Sequence, residues 1–137
     1  MKIRNYHQSD KESVITLWKG VFNPNQYHNN PEIAINMKIK NNDNLFFIAE
    51  EENKIIGTII SGFDGHRGWL YSLAVNPDYR RKGIGTLLVK RALYELKNLG
   101  CLKVNLQIYE KNKTVKDFYK KIGFIIEDRI SMGKKMY

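Results

Sequence analysis

A single cysteine, Cys101, leaves no partner for an internal disulfide and no thiol cluster to hold a metal. No stretch approaches the roughly 20 consecutive apolar residues of a membrane-spanning helix. The first residues, MKIRNYHQSDKE, have no apolar core of the kind a secretory leader carries. Only three prolines occur, with no repeat and no low-complexity tract, so no linker interrupts the chain and it reads as one domain, 1–137. Acidic side chains are scarce, 14 against 23 basic ones, for a formal net charge of +9. That balance favours an anionic partner: nucleic acid, a phosphate-bearing small molecule or an acidic surface. The basic residues are dispersed rather than gathered in a tail. No helix-turn-helix, zinc-finger or RNA-binding signature is present, so nucleic acid ranks last among these. The expectation is a cytoplasmic protein without a metal site, nucleic-acid partner or membrane anchor. A composition of 42% hydrophobic and 27% charged residues is enough to bury a core.

Periodicity places the elements. KIRNY (2–6) reads as a strand. Ser9 and Glu12 have capping-box spacing ahead of a helix whose apolar face is Val14, Leu17, Trp18 and Val21. FNPNQYHNN (22–30) is a loop, and Pro31 opens a helix with Ile35 and Ile39 four apart. Strands follow at 44–51 and 54–63, joined by a turn near Asn53, and at 67–75, ended by Pro77. A helix over about 85–99 carries Leu88, Ala92, Leu96 and Leu99 on one side and stops at Gly100. Val104, Leu106 and Ile108 alternate in a strand over 103–110. A short helix over 114–122 ends at Gly123, and strands over 124–130 and 133–137 close the chain. Helices set among strands imply an α/β (α+β) layered domain on a mixed sheet.

The segment YRRKGIG (79–85) sits between the strand over 67–75 and the long helix. The first turn of a helix presents unpaired N–H groups and the positive end of its dipole. Glycine there removes the Cβ, so an anion can approach those amides. Arg80, Arg81 and Lys82 add positive potential, and from Arg80 to Lys103 seven basic residues face one acidic one, Glu95. The site has the chemistry of a diphosphate cradle, beside the plainer reading of a charged loop and a solvated helix face. The dinucleotide fingerprint G-x-G-x-x-G fails because Leu88 stands at its third glycine, and the pattern G-x-x-x-x-G-K-[ST] is absent.

Arg80-x-x-Gly83-x-Gly85 resembles the pyrophosphate motif [QR]-x-x-G-x-[GA] of the GCN5-related N-acetyltransferases (GNAT), which bind coenzyme A. Asn76, Pro77 and Tyr79 precede it much as in that family. YEKNKTVKDFYKKIGF (109–124) resembles the family's second signature, with Asn112, Phe118, Tyr119, Gly123 and Phe124 in register. The resemblance spans essentially the whole chain, and SGFDGHRGWLYSLAV (61–75) is similar to a subgroup of small bacterial YpeA-like acetyltransferases.

The resemblance implies a GNAT fold: a twisted, mostly antiparallel mixed sheet whose fourth and fifth strands splay apart, with helices on both faces. It implies acetyl-CoA as acetyl donor. The pantetheine arm would pair with Leu73, Ala74 and Val75, and the pyrophosphate would rest on Arg80, Arg81, Lys82, Gly83, Ile84, Gly85 and Thr86. Asn112 corresponds to a contact to the cofactor arm, and Tyr119 to the general acid for the leaving thiolate. A donor for the developing oxyanion is expected at a backbone N–H near Val75. Where some relatives carry a glutamate base, this chain has Gln107, so Glu50, Asp64, His66, Glu110 and a water relay all stand as candidates. His66, in DGHRG, also fits a solvated hairpin turn.

The implied activity is direct acetyl transfer to a primary amine of a small-molecule or peptide acceptor. The alternative is a non-catalytic acyl-CoA-binding module of the same fold. Trp18, Phe22, Tyr27, His28 and Tyr71 are candidates for an acceptor pocket, with Trp18 weighted toward the core. Glu32, Asp43, Glu50, Glu51 and Asp64 are the acidic residues that could receive a polycation. A homodimer is one candidate assembly.

Overall fold

Apolar residues alternate or run together from position 45 to 75, and that stretch becomes the middle of a sheet. The computed structural model describes residues 1–23 and 25–137; Pro24, in the loop expected over 22–30, lies outside them. Met1–Leu106 form one compact unit and Gln107–Tyr137 a second.

In the first unit, strands β1 (Lys2–Asn5), β2 (Phe46–Glu51), β3 (Lys54–Phe63), β4 (Gly68–Val75) and β5 (Val104–Asn105) lie side by side in that order. The first three pairings are antiparallel and β4 with β5 is parallel. Glu52 and Asn53 both take positive φ (49° and 62°), the geometry a two-residue hairpin needs to match strand twist. Helices α1 (Lys11–Val21), α2 (Pro31–Asn41) and α3 (Ile84–Asn98) complete the unit.

Successive side chains of a strand point to opposite faces, and β2 shows what each face meets. Phe46 and Ile48 join Val14, Leu17 and Trp18 of α1 and Ile35 of α2 in one core cluster. Phe47, between them, has the Arg91 guanidinium of α3 over its ring at 5.1 Å. Helices therefore cover both faces, as the resemblance implies. The start of α3 packs closely enough that a Cβ at Gly57 would lie 3.0 Å from Leu88 and 3.1 Å from the Ala74 carbonyl oxygen. That contact sets the height of α3, and of the loop before it, over the sheet.

Two local expectations are corrected. Asp10, not Ser9, organises the entry to α1: its Oδ2 accepts the His7 N–H at 2.8 Å. The same carboxylate takes Arg4 in a two-pronged pair at 2.8 and 3.0 Å, and Arg4 reaches on to Glu50. Burial alone would raise the Asp10 pKa, but the Arg4 guanidinium and the His7 amide outweigh it and hold it below the usual carboxylate value. A carboxylate lowered on folding stabilises the protein above its unfolded pKa and loses that contribution as pH falls through the folded one. Asp10→Asn is expected to cost about 2 kcal/mol at neutral pH. The gap from the parent should close below pH ~4, as followed by denaturant melts at a series of pH values. Ile39, the second correction, is exposed rather than part of the buried face of α2.

In the second unit, Asn112 caps α4 (Lys113–Lys121) by accepting the Val115 N–H at 3.2 Å, and Gly123 ends it at φ 103°. The strands expected over 124–130 and 133–137 are not formed, and that expected over 103–110 is reduced to β5. Ile125, Ile126, Ile130, Met132 and Met136 are exposed. Strand preference reflects packing against a partner face more than the backbone itself, and these segments have none within their unit.

Candidate active site

β4 carries the site's first half. It pairs with β5 only at its start, Gly68↔Val104 and Trp69↔Asn105. From Leu70 to Val75 that edge has no strand partner among the described residues. The backbone groups of Leu73, Ala74 and Val75 lie along this stretch, and β4 and β5 part as the resemblance implies.

The strand then runs into a tight turn. Asn76 accepts the Asp78 N–H at 2.9 Å, and its own N–H donates to the Ile56 carbonyl at 2.8 Å. Pro77 fits the first position of this turn because its missing N–H is not needed there. Beyond it, Arg81 and Gly83 adopt positive φ (64° and 77°) on either side of Lys82. A left-handed conformation costs an L-residue about 1 kcal/mol or more, so its presence at Arg81 calls for a reason. Alternating the hand of neighbouring residues turns consecutive N–H groups toward one concave side, the geometry of an anion nest. Gly83 is the N-cap of α3 and no side chain caps it. The amides of Ile84, Gly85 and Thr86 therefore have no acceptor within the helix. A Cβ on Gly83 would meet nothing within 4 Å, so the space beside it is open. Arg80, Arg81 and Lys82 are all exposed around it.

Lys54, at the start of β3, belongs to the same surface and was not a sequence candidate. Its ammonium and that of Lys82 lie 5.7 and 5.4 Å from the centre of the Tyr79 ring. Sequence order gives no hint of this, since the hairpin and the loop meet only through the sheet.

Tyr119 stands on α4 of the second unit, 6% exposed. Its ring meets Phe118 and Phe124 edge-on at 5.0 and 5.3 Å. Burial pushes its phenol up to about 12. Asn112 belongs to the same unit.

Two of the four side-chain candidates for a base are already engaged. Asp64 accepts the His66 and Arg67 N–H groups at 2.8 and 2.7 Å, which closes the β3–β4 turn and lowers its pKa. Glu50 is lowered chiefly by its hydrogen bond to Arg4. A side-chain base contributes about 10²–10⁴-fold, so a twofold limit on the loss for Asp64→Asn in thiol-release assays separates a turn residue from a base. The turn role is expected. The acidic residues that could receive a polycation are likewise occupied: Glu32 by Lys11 at 3.1 Å, Asp43 by Lys38 at 2.7 Å, Glu50 by Arg4 and Glu51 by the N-terminal amine. Trp18 is buried in the core, whereas Phe22, Tyr27 and Tyr71 are exposed.

Comparison with known proteins agrees with this geometry. A model of the acetyltransferase (GNAT) family matches residues 10–124. An acetyltransferase of Pectobacterium atrosepticum is 38% identical over 138 residues, covering 99% of this chain and 96% of that protein. An uncharacterized N-acetyltransferase of Yersinia pestis is 38% identical over the same shares of the two chains. Among solved structures, the PaiA N-acetyltransferase of Thermoplasma acidophilum in complex with coenzyme A superposes with a TM-score of 0.80 at 25% identity, covering 94% of this chain and 92% of that one.

Proposed function

Because the chain belongs to the acetyltransferase (GNAT) family, we propose that it transfers the acetyl group of acetyl-CoA directly to the primary amine of a small molecule or peptide. The observation that carries this is the unpaired edge of β4, Leu70–Val75, leading into the uncapped start of α3. One feature suits an extended amide-bearing arm and the other a diphosphate.

Acetyl-CoA supplies the acetyl group as a thioester. Its diphosphate would lie on the amides of Arg81 to Thr86, with Arg80, Arg81 and Lys82 as counter-charges. The peptide-like arm would pair with Leu73, Ala74 and Val75, as an added strand pairs with an exposed edge, and Asn112 would contact it. An N–H near Val75 would stabilise the carbonyl oxygen as it gains charge. The amine nitrogen bonds to the acetyl carbon as the carbon–sulfur bond breaks, and the proton lost by nitrogen ends on sulfur. Tyr119 is the proposed donor to that sulfur. With Asp64 and Glu50 engaged elsewhere, His66, Glu110 and a water relay remain, and of these we assign deprotonation of the amine to water. The paired acidic residues leave little to hold a polycation, so monoamines are expected to outrank polyamines and aminoglycosides.

The test is to mix the chain with acetyl-CoA and a panel of amino acids, short peptides, polyamines and aminoglycosides, following released thiol and acetylated product by mass spectrometry. An acetylated amine, with the protein's own mass unchanged in acetyl-CoA alone, is the expected result. An acetylated protein, at Cys101 for instance, overturns direct transfer. Binding without turnover of any amine replaces the enzyme with an acyl-CoA-binding module.

A further inference from the structure

β4 does not run straight to its open edge. β3 pairs with it at Thr58↔Ala74 and next at Ile60↔Tyr71. Ser72 and Leu73 thus face Ile59 alone, and the extra residue is a β-bulge. Ser72 has φ 53°, a left-handed conformation that a serine does not hold unaided. In a strand, successive N–H groups point to alternate edges. One inserted residue inverts that alternation for everything beyond it. The bulge therefore decides which backbone groups of Leu73, Ala74 and Val75 face outward on the unpaired edge.

Two buried side chains from other elements hold it. The hydroxyl of Thr58 on β3, a residue 0% exposed, donates to the Ser72 carbonyl at 2.9 Å. Trp18 Nε1, on α1, donates to the same hydroxyl at 2.8 Å. A threonine hydroxyl has one proton, and Trp18 occupies a lone pair, so the proton's direction toward Ser72 is fixed. The indole is in turn held by its stacking on Phe46 at 6.0 Å. Neither side chain lies on the open edge.

We propose that Trp18 and Thr58 are positioning residues that hold the β4 bulge in the register that presents Leu73–Val75 to the arm and thioester of acetyl-CoA. This rests on the proposed function. The diphosphate nest at Arg81–Thr86 is built by a different part of the chain and does not depend on the bulge. Losing the relay should therefore weaken the arm's contacts and spare those of the nucleotide.

The experiment measures calorimetric affinities for acetyl-CoA and for 3′-phospho-ADP, which has the diphosphate and no arm. Thr58→Val removes the hydroxyl at nearly constant shape, Thr58→Ser keeps it, and Trp18→Phe keeps the ring without the N–H. Thr58→Val is expected to weaken acetyl-CoA about tenfold, the order of one lost hydrogen bond, with 3′-phospho-ADP unchanged. Thr58→Ser should restore acetyl-CoA to within about twofold, and Trp18→Phe should fall between. Equal weakening of both ligands marks general damage to the fold and overturns the proposal, as does wild-type affinity for acetyl-CoA in Thr58→Val. Failure of the unmodified chain to bind either ligand overturns the functional reading first and this inference with it.

Discussion

Gly83→Glu is expected to weaken acetyl-CoA binding about 100-fold while leaving the chain folded. Two effects combine. Gly83 has φ 77°, and a side chain in that conformation costs about 1 kcal/mol. The carboxylate then stands where the diphosphate would sit, and repulsion between like charges near a surface adds a comparable or larger amount. Together about 3 kcal/mol corresponds to that factor in Kd. The chain should tolerate the change, because an added Cβ at Gly83 meets nothing within 4 Å. Gly83→Ala separates the two effects: it carries the backbone strain without the charge and should weaken binding only about fivefold. Titration calorimetry with the three proteins measures both steps. Equal affinity in Gly83→Glu and the parent would leave the loop a charged helix start and nothing more.

Tyr119→Phe is expected to lower kcat about 100-fold, within the usual range for removing a general acid, and to leave the acetyl-CoA Kd within about twofold. The phenol, pushed up to about 12 by burial, is fully protonated at neutral pH. The leaving thiolate is a weaker base than the phenolate, since ordinary thiols titrate near ~8.5. Complete transfer from Tyr119 alone is therefore uphill. Its proposed role is to hydrogen-bond to sulfur as charge develops there, while the proton shed by the attacking amine replaces the one it gives. Steady-state rates in whichever amine the panel identifies, beside calorimetric Kd values, check the split. A weakened Kd with unchanged kcat would make Tyr119 a packing residue. The raised pKa also has a signed consequence for stability. A phenol titrating higher in the folded state stabilises it below the unfolded value near ~10 and loses that contribution as pH rises through about 12. Tyr119→Phe should abolish this alkaline loss, seen as a smaller fall in melting temperature between those limits.

Local chemistry made much of the fold readable in advance. The Glu52–Asn53 turn, the start of α2 at Pro31, the buried face of α3 at Leu88, Ala92 and Leu96, and its stop before Gly100 all follow from residues within a few positions of one another, whereas Leu99, expected on that face, is exposed beyond the helix end. The proposed phosphate loop stands out for the same reason: its glycines and cations lie within a few positions of one another. Tyr119 and Asn112 are site candidates only as members of a signature, and the raised pKa of one and the capping role of the other are not visible in the sequence. What periodicity cannot carry is a hydrogen bond between distant segments. Trp18 and Thr58 are 40 residues apart, and Arg4 and Glu50 are 46 apart. Trp18 read as a core residue, and nothing nearby announced its partner. Thr58 did leave a trace, since it is the one polar residue in the run IIGTII, and a buried hydroxyl requires a partner. Asp64 is a base candidate by side-chain type alone, and the turn amides that it accepts are visible only in three dimensions. The C-terminal strands were misjudged because FIIEDRI has strand composition, and composition does not supply the neighbouring strand.

The most direct test is a calorimetric titration of acetyl-CoA into the unmodified chain. The account predicts saturable one-site binding at micromolar concentration that weakens as salt rises, because the diphosphate is met by charge as well as by amides. A flat trace at high concentrations of both components would contradict it, and the unpaired β4 edge and the nest before α3 would lose the ligand that explains them.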